Sequence, residues 1–205
     1  PFKKELEGDF EFSYAPRIDH SVLFESVFKH LLTGGTLSIF PEGGSHDRPS
    51  MLPIKPGVAI MALGTVCGGD KTKKVTIVPV GLNYFNRDKF RSRGVIEYGQ
   101  PVVVDYENWG KFYEKDSFGT VEKLMEVLKK SLYAVTVNTE DYETLQVIQA
   151  CRRLLYTNHT EKLSYNVVIN RMLIKGYEHF QDDERIVEAK RKVLQYNKNL
   201  YEIGV

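Results

Sequence analysis

The residues with the clearest chemical potential fall in one short stretch, residues 39–49, with the sequence IFPEGGSHDRP. Its two glycines allow a backbone to approach a ligand closely. Arg48 can hold a phosphate through two parallel hydrogen bonds, and Glu42 can fix a hydroxyl group or orient Arg48. The stretch therefore indicates a phosphate-binding loop, and the alternative is a glycine-rich surface turn with solvated charges.

Two other chemistries are not favoured by the same stretch. Ser45 and His46 are adjacent, and neighbouring side chains rarely face each other; the sequence also lacks a G-x-S-x-G elbow, so a serine hydrolase is not predicted. Glu42, His46 and Asp47 have a spacing that matches no strong metal-ligand pattern. We therefore predict no metal site.

Predicted helices and a strand flank the loop. Apolar residues recur three and four apart, which predicts a helix over residues 19–32 that two glycines end. Residues 36–40 predict a buried strand that ends at Pro41, and Pro56 suits the first turn of a helix that runs to about residue 63. Ligands of open α/β sheets bind at the carboxyl ends of strands, which is the position of this loop.

The rest of the chain divides into two regions with different residue patterns. β-Branched residues predict strands over 75–80, 95–98 and 102–104, and their alternation with helices is typical of an α/β domain with a mixed or largely parallel sheet. Amphipathic helices follow over 120–134, 139–156, 162–180 and 182–201, the second with Thr139 as its N-cap. We predict an α/β part over residues 1–110 and a helical extension over residues 111–205.

Composition narrows the class of protein. The 205 residues carry 28 Lys and Arg against 27 Asp and Glu, so no basic field predicts a nucleic-acid partner. Cys67 and Cys151 form no disulfide framework, which fits a reducing compartment. No apolar run reaches the roughly 18–20 residues that span a bilayer. The chain begins at Pro1 without an initiator Met, so we expect a fragment of a longer protein.

The motifs resemble those of a known family. Phe40-Pro-Glu-Gly followed by Arg48 resembles the third conserved block of the PlsC-like glycerolipid acyltransferases, and Val78-Pro-Val with Tyr84 resembles the fourth. The runs FPEGGSHDRPSMLPIKPGVAIMALG, VTIVPVGLNYF and VTVNTEDYETLQVIQACRRLLY resemble the fungal-type enzymes that acylate glycerol 3-phosphate and dihydroxyacetone phosphate. The resemblance implies the C-terminal portion of a PlsC-like α/β domain followed by a helical extension.

The family's catalytic His-x4-Asp block has no match here. His20 and Glu25 have the spacing but not the residue types, and we interpret His20 as a helix-terminal or surface residue. We therefore expect the catalytic and second blocks upstream and no catalytic residue in this chain. The resemblance implies that the upstream His deprotonates the acceptor hydroxyl, which attacks acyl-CoA directly. Acyl-CoA is then a co-substrate, no cofactor is bound, and these residues alone are expected to be inactive.

The resemblance also implies roles for residues that are present. The expected substrate-binding residues are Glu42, Gly43, Gly44, Ser45, Arg48 and Lys55. Glu42, Gly43 and Arg48 would bind the acceptor, and Gly44 and Ser45 would shape the turn. Lys55 would face the phosphate or is an exposed lysine before a helix. Pro79 and Val80 either line the acyl-chain side or support the sheet. Basic clusters over 71–74 and 87–93, the second with Phe90, are candidates for contact with a membrane lipid surface or with the phosphates of CoA, or are solvated loops.

The resemblance implies a glycerol-3-phosphate or dihydroxyacetone-phosphate acyltransferase that acts at the first step of phosphatidic acid synthesis. Its small-molecule partners are the acceptor and acyl-CoA. We expect the parent protein in the endoplasmic reticulum membrane, with this segment on the cytosolic face. Two alternatives stay open: a lysophosphatidate acyltransferase, or a non-catalytic lipid- or CoA-binding module if the chain is complete. The sequence does not set the oligomeric state.

Overall fold

The computed structural model describes residues 21–85, 90–155 and 163–204. The helices are α1 (Ser21–Leu32), α2 (Gly57–Gly68), α3 (Lys111–Lys115), α4 (Ser117–Val135), α5 (Tyr142–Leu155), α6 (Leu163–Phe180) and α7 (Glu184–Glu202). The strands are β1 (Val75–Ile77), β2 (Val80–Tyr84), β3 (Gly94–Tyr98) and β4 (Val102–Val104). Within these described ranges, every helix is too short or too polar to cross a bilayer. His20 and residues 87–89 of the second basic cluster lie outside the described residues.

The structure confirms most of the helices predicted from apolar periodicity, although some begin or end at other residues. The predicted helix over 19–32 is α1 from Ser21 onward, and the helix that begins after Pro56 continues to Gly68 rather than ending near residue 63. The cap of α5 differs from the prediction. Asp141, not Thr139, caps it, because the Asp141 Oδ1 accepts the Thr144 backbone N–H at 2.6 Å.

The strands pair as two separate antiparallel ribbons. β1 pairs with β4, with Val75 opposite Val104, and β2 pairs with β3, with Val80 opposite Tyr98. The protein thus mixes helices and strands as expected, but the described pairings are antiparallel, and the expected parallel pairing is not among them. The strand predicted over 75–80 divides before Val80, since Pro79 has no amide hydrogen for a ladder.

The strand predicted over residues 36–40 is wrong. The segment belongs to no strand, and Phe40 is 79% exposed with Leu37 and Ile39 also on the surface. An apolar, β-branched pattern favours extended backbone, but a strand also needs a neighbour that accepts and donates the ladder hydrogen bonds. That neighbour is not found among the residues that the structure describes.

The core forms around α2, which is apolar on all sides. Its Ala59, Leu63 and Val66 are fully buried and lie in one cluster with Val104 of β4 and Leu124 of α4. Burial of a leucine side chain of this kind contributes about 1.5–3 kcal/mol. The cluster joins residues on both sides of the division expected at residue 110, and that division stays a prediction.

Helices α5, α6 and α7 form a second packed group. Val147 and Ile148 of α5 and Val167 of α6 are buried there. Lys190 of α7 reaches the start of α5, where its Nζ donates to Thr144 Oγ1 at 3.0 Å and lies 3.7 Å from the Asp141 carboxylate. This contact fixes α7 to the first turn of α5.

The β2–β3 ribbon alternates between a packed face and an open face. Gly81 and Asn83 are buried, and Gly81 lies directly against the Val135 carbonyl at the end of α4. Glu97 on the same face forms an ion pair with Arg171 of α6. The opposite face exposes five large apolar side chains, those of Val80, Leu82, Tyr84, Ile96 and Tyr98.

Candidate functional site

The loop over residues 41–55, which we call the 41–55 loop, starts with a tight turn. The Gly43 N–H donates to the Phe40 carbonyl at 3.1 Å, and Gly43 has a φ of +69°, a conformation that side-chain-bearing residues adopt at a cost. The Lys55 N–H then donates to the Pro41 carbonyl at 2.7 Å. This bond closes the loop immediately before α2.

Inside the loop, Glu42 and His46 are paired. His46 Nε2 lies 2.6 Å from Glu42 Oε2, which also accepts the Leu52 backbone N–H at 2.7 Å. The Arg48 backbone N–H donates to His46 Nδ1 at 3.1 Å. Because Nδ1 accepts, the ring proton lies on Nε2 and is donated to Glu42. Glu42 therefore orients Arg48 through His46 and the backbone.

This arrangement decides what His46 can do. Both ring nitrogens are engaged within the loop, so His46 has no free lone pair for the proton of a substrate. Ser45 is exposed beside it. Sequence analysis did not find the Glu42–His46 pair, although the spacing of four residues was visible in the sequence.

Two cations lie on the loop. A Cβ atom built on Gly43 would be 2.6 Å from Lys55 Nζ, so the lysine amine lies over the glycine turn. The Arg48 side chain is exposed, and within the described ranges its guanidinium has no hydrogen bond or ion pair. Its five N–H donors are therefore open to an anion. The structure thus places Lys55 beside Gly43 and leaves Arg48 open, and Gly44 is exposed.

A second segment contacts the loop from a distant part of the chain. Asn138 Oδ1 accepts the Met51 backbone N–H at 2.8 Å, and the Thr139 N–H donates to the Pro49 carbonyl at 3.1 Å. The Tyr142 hydroxyl lies 3.3 Å from an Asp47 carboxylate oxygen. Asn138, Thr139 and Tyr142 were not predicted to be part of the site. Their only signal was their position in the stretch VTVNTEDY, within a run that resembles the family.

The residues expected near the acyl chain lie on the β2–β3 ribbon. Pro79 is buried, and its carbonyl accepts the Gly99 N–H at 2.9 Å. Val80 is 39% exposed and begins the open apolar face of the ribbon. Pro79 is thus a packing residue in this structure, while Val80 is accessible.

The first basic cluster is partly engaged within the chain. Lys71 Nζ lies 2.6 Å from the Tyr106 hydroxyl and 3.0 Å from the Glu114 carboxylate. The hydrogen bond to Tyr106, followed by that to Glu114, raises the pKa of Lys71. The hydrogen bond from the Tyr106 hydroxyl, followed by that from Lys71, lowers the pKa of Glu114. Lys71 is therefore held against the π-helical turn Tyr106–Gly110 and α3, whereas Lys73 and Lys74 are exposed.

Neither cysteine has the setting of a reactive thiol. Cys67 and Cys151 are both free, and burial raises the pKa of each thiol. Within the described parts of the chain, no three His, Cys, Asp or Glu residues converge as a metal-binding group. The chemistry that the structure supports is therefore that of the 41–55 loop, with its paired Glu42 and His46 and its two accessible cations.

Comparison with known proteins agrees with these motifs. The chain is 53% identical over 201 residues to glycerol-3-phosphate O-acyltransferase 2 of Saccharomyces cerevisiae, which covers 98% of this chain. It is 42% identical over 194 residues to glycerol-3-phosphate O-acyltransferase 1 of the same yeast, which covers 92% of it. Over nearly its whole length, the chain is thus similar to part of two yeast glycerol-3-phosphate O-acyltransferases. An uncharacterized acyltransferase of Schizosaccharomyces pombe is 42% identical over 200 residues.

The match to these acyltransferases is regional. The chain spans 27%, 29% and 25% of the lengths of the three relatives, so it corresponds to about a quarter of each. Residues 147–205, which include most of α5 and all of α6 and α7, match the C-terminal domain of glycerol-3-phosphate acyltransferase 2. No solved structure matches the chain.

Proposed function

We propose that the complete protein transfers an acyl group from acyl-CoA to sn-glycerol 3-phosphate, dihydroxyacetone phosphate or both, at the entry to phosphatidic acid synthesis. One observation carries this proposal: the 41–55 loop presents the open guanidinium of Arg48, held through His46 and Glu42. A small acceptor with one phosphate and a free hydroxyl suits such a loop. The names of two relatives, both glycerol-3-phosphate O-acyltransferases, agree with that acceptor.

In this proposal the loop binds the acceptor phosphate. Arg48 holds it through two parallel hydrogen bonds, and Lys55 adds a second positive charge above the Gly43 turn. Gly44 and Ser45 leave the approach open, since both are exposed. The loop thus contributes binding and orientation, which bring the acceptor hydroxyl to the thioester.

The reaction itself needs a base that His46 does not supply. We propose that a His-x4-Asp pair elsewhere in the enzyme removes the hydroxyl proton, a contribution worth about 10²–10⁴-fold. The hydroxyl oxygen bonds to the thioester carbonyl carbon, the carbon–sulfur bond breaks, and coenzyme A leaves as the thiol with the proton. Acyl-CoA is a co-substrate, and the mechanism uses no bound cofactor.

The surroundings of the site are part of the same proposal. Residues 1–110 form the C-terminal portion of a PlsC-like α/β domain, and residues 111–205 form its helical extension. The open face that begins at Val80 supports contact with an acyl chain, with Pro79 as packing support. Phe90 is 91% exposed next to Arg91 and Arg93, which supports contact with an anionic lipid surface.

The proposed location follows from the lipid chemistry. We place the enzyme at the endoplasmic reticulum membrane, with this region on the cytosolic side. Acyl-CoA and the acceptor are water-soluble and would reach the site from the cytosol. Fluorescent tagging of the full-length protein, with a protease-protection assay of an epitope at residue 205, tests this placement. A protected epitope would contradict it.

An acceptor panel tests the proposed function. Full-length enzyme in membranes is assayed with acyl-CoA and either glycerol 3-phosphate, dihydroxyacetone phosphate or lysophosphatidate, and both thiol release and acylated product are measured. We expect turnover of one or both small acceptors, and a lower kcat/KM for them in Arg48→Ala. Turnover of lysophosphatidate alone would establish the lysophosphatidate acyltransferase instead. Binding of acyl-CoA without turnover of any acceptor would establish a binding module.

A further inference from the structure

We propose that Asn138 is a positioning residue for the phosphate-binding Arg48, acting through the backbone of the 41–55 loop. This inference rests on the proposed function, because it assigns a consequence for acceptor binding. Its geometric part stands on the contacts alone. Asn138 Oδ1 accepts the Met51 N–H at 2.8 Å across 87 residues of sequence.

The orientation of the Asn138 carboxamide is set by its other contact. Asn138 Nδ2 lies 2.7 Å from Thr136 Oγ1, and that hydroxyl donates to the Leu132 carbonyl at 2.7 Å. Since the Thr136 hydroxyl hydrogen is used on Leu132, its lone pair receives the Asn138 N–H. The amide oxygen therefore faces Met51. Asn138 is partly buried, so water reaches this bond less freely than an exposed one.

Arg48 is consequently held on both sides. On one side, its own N–H is bound to His46, which Glu42 holds. On the other side, Pro49 accepts from the Thr139 N–H at 3.1 Å, and Met51 is bound by Asn138. The backbone that carries the Arg48 side chain is therefore held by attachments on both sides.

The segment that supplies Asn138 is itself anchored at both ends. The Thr136 N–H bonds to the Leu132 carbonyl at 3.1 Å, where α4 ends. Asp141 caps α5, and Lys190 of α7 donates to Thr144 in the first turn of α5. The helical part of the chain thus supports the loop that we assign to the acceptor phosphate. Loss of Asn138 removes one side-chain link between them and leaves that of Tyr142 to Asp47.

Kinetics of three variants in the full-length enzyme test the proposal. Asn138→Leu has a similar shape but cannot accept from Met51, and Asn138→Asp keeps an oxygen in that position. The matched control is Val147→Ala, which removes buried methyl groups from α5 at a position that is not part of the loop. KM for glycerol 3-phosphate and KM for acyl-CoA are measured for each variant.

We expect Asn138→Leu to raise KM for glycerol 3-phosphate about five- to tenfold, the effect of one lost hydrogen bond, with KM for acyl-CoA within about twofold of wild type. Asn138→Asp keeps an acceptor for Met51 but loses the donor to Thr136, so it should recover part of that loss. Val147→Ala should change neither KM. Equal increases in both KM values would overturn the proposal. So would an Asp variant as impaired as the Leu variant.

Hydrogen–deuterium exchange separates failure of this inference from failure of the proposed function. Peptides that contain the amides of Met51 and Leu52 are followed in the same full-length variants. We expect exchange at Met51 to be about tenfold faster in Asn138→Leu and unchanged in Val147→Ala. If the variants show this pattern of exchange but the wild-type enzyme does not acylate glycerol 3-phosphate, the proposed function is wrong and the attachment of the loop by Asn138 is confirmed. Unchanged exchange in Asn138→Leu overturns the attachment.

Discussion

His46 Nε2 lies 2.6 Å from Glu42 Oε2, and this contact turns a histidine in a catalytic-looking motif into a structural residue. With Nδ1 accepting from the Arg48 N–H, the imidazole has no free nitrogen for a substrate. Its effect is on where Arg48 lies. We interpret the loop as a pre-shaped turn whose proposed role is to bind an anion.

Substitution of His46 by Asn should reduce kcat/KM for glycerol 3-phosphate by less than about tenfold, because only loop contacts are lost. Loss of a general base would instead cost about 10²–10⁴-fold in kcat. Steady-state kinetics of the full-length variant distinguish the two. A fall in kcat of three orders of magnitude with unchanged KM would make His46 the base.

Gly43→Ala should destabilise the loop, because Gly43 has a φ of +69° and its added Cβ would meet Lys55. A left-handed conformation of a non-glycine residue costs about 1–2 kcal/mol. We expect a higher KM for glycerol 3-phosphate. Gly44→Ala is the matched control, since nothing lies within 4 Å of its added Cβ. Equal effects of the two substitutions would contradict the role of the turn at Gly43.

Arg48→Ala should lower kcat/KM for the acceptor by about 10–150-fold, which corresponds to a charge-assisted hydrogen bond worth about 1.5–3 kcal/mol. Glu42→Gln should act in the same direction but less, since a glutamine keeps one acceptor oxygen for Leu52 or His46. Arg153→Ala on α5 removes an exposed arginine elsewhere and serves as the control. Kinetics of both loop variants equal to wild type would make the loop purely structural.

Asp141 should make stability fall in acid. Its hydrogen bond from the Thr144 backbone N–H, with a further contribution from Lys190, lowers the pKa of the carboxyl below its ordinary value. A lowered folded pKa gives stability that is present above the unfolded pKa and lost as pH falls through the folded pKa. Between about pH 5 and pH 3, the urea concentration at the midpoint of unfolding should therefore fall less in Asp141→Asn than in the wild type. An identical acid dependence in the variant would contradict this role.

The 205 residues alone should release no thiol from acyl-CoA in the presence of glycerol 3-phosphate. The physical reason is that His46, the histidine of the 41–55 loop, is engaged within the loop, and we assign the base to another part of the enzyme. A thiol-release assay on the purified chain, with the full-length enzyme as the positive control, checks this. Detectable acyl transfer by the chain would mean that it holds its own base.

Local patterns determined much of this protein. Apolar spacing of three and four residues predicted α1 and α4–α7, because helical periodicity depends only on near neighbours. The residue types of FPEGGSHDRP predicted an anion-binding loop before α2, since glycines and an arginine carry that chemistry wherever they are placed.

Strand pairing and the construction of the loop depended on tertiary structure. Residues 36–40 have the composition of a strand but no partner strand in the described ranges. Pro79 divides the single strand that was predicted over residues 75–80 into β1 and β2. The bond from Met51 to Asn138 joins residues 87 positions apart, and no periodicity encodes it. It forms because α2 packs against α4, which brings the segment after α4 to the loop before α2. Which side chains hold the backbone at Arg48 is therefore decided by packing, whereas the arginine that we propose to bind an anion is already identified by its residue type.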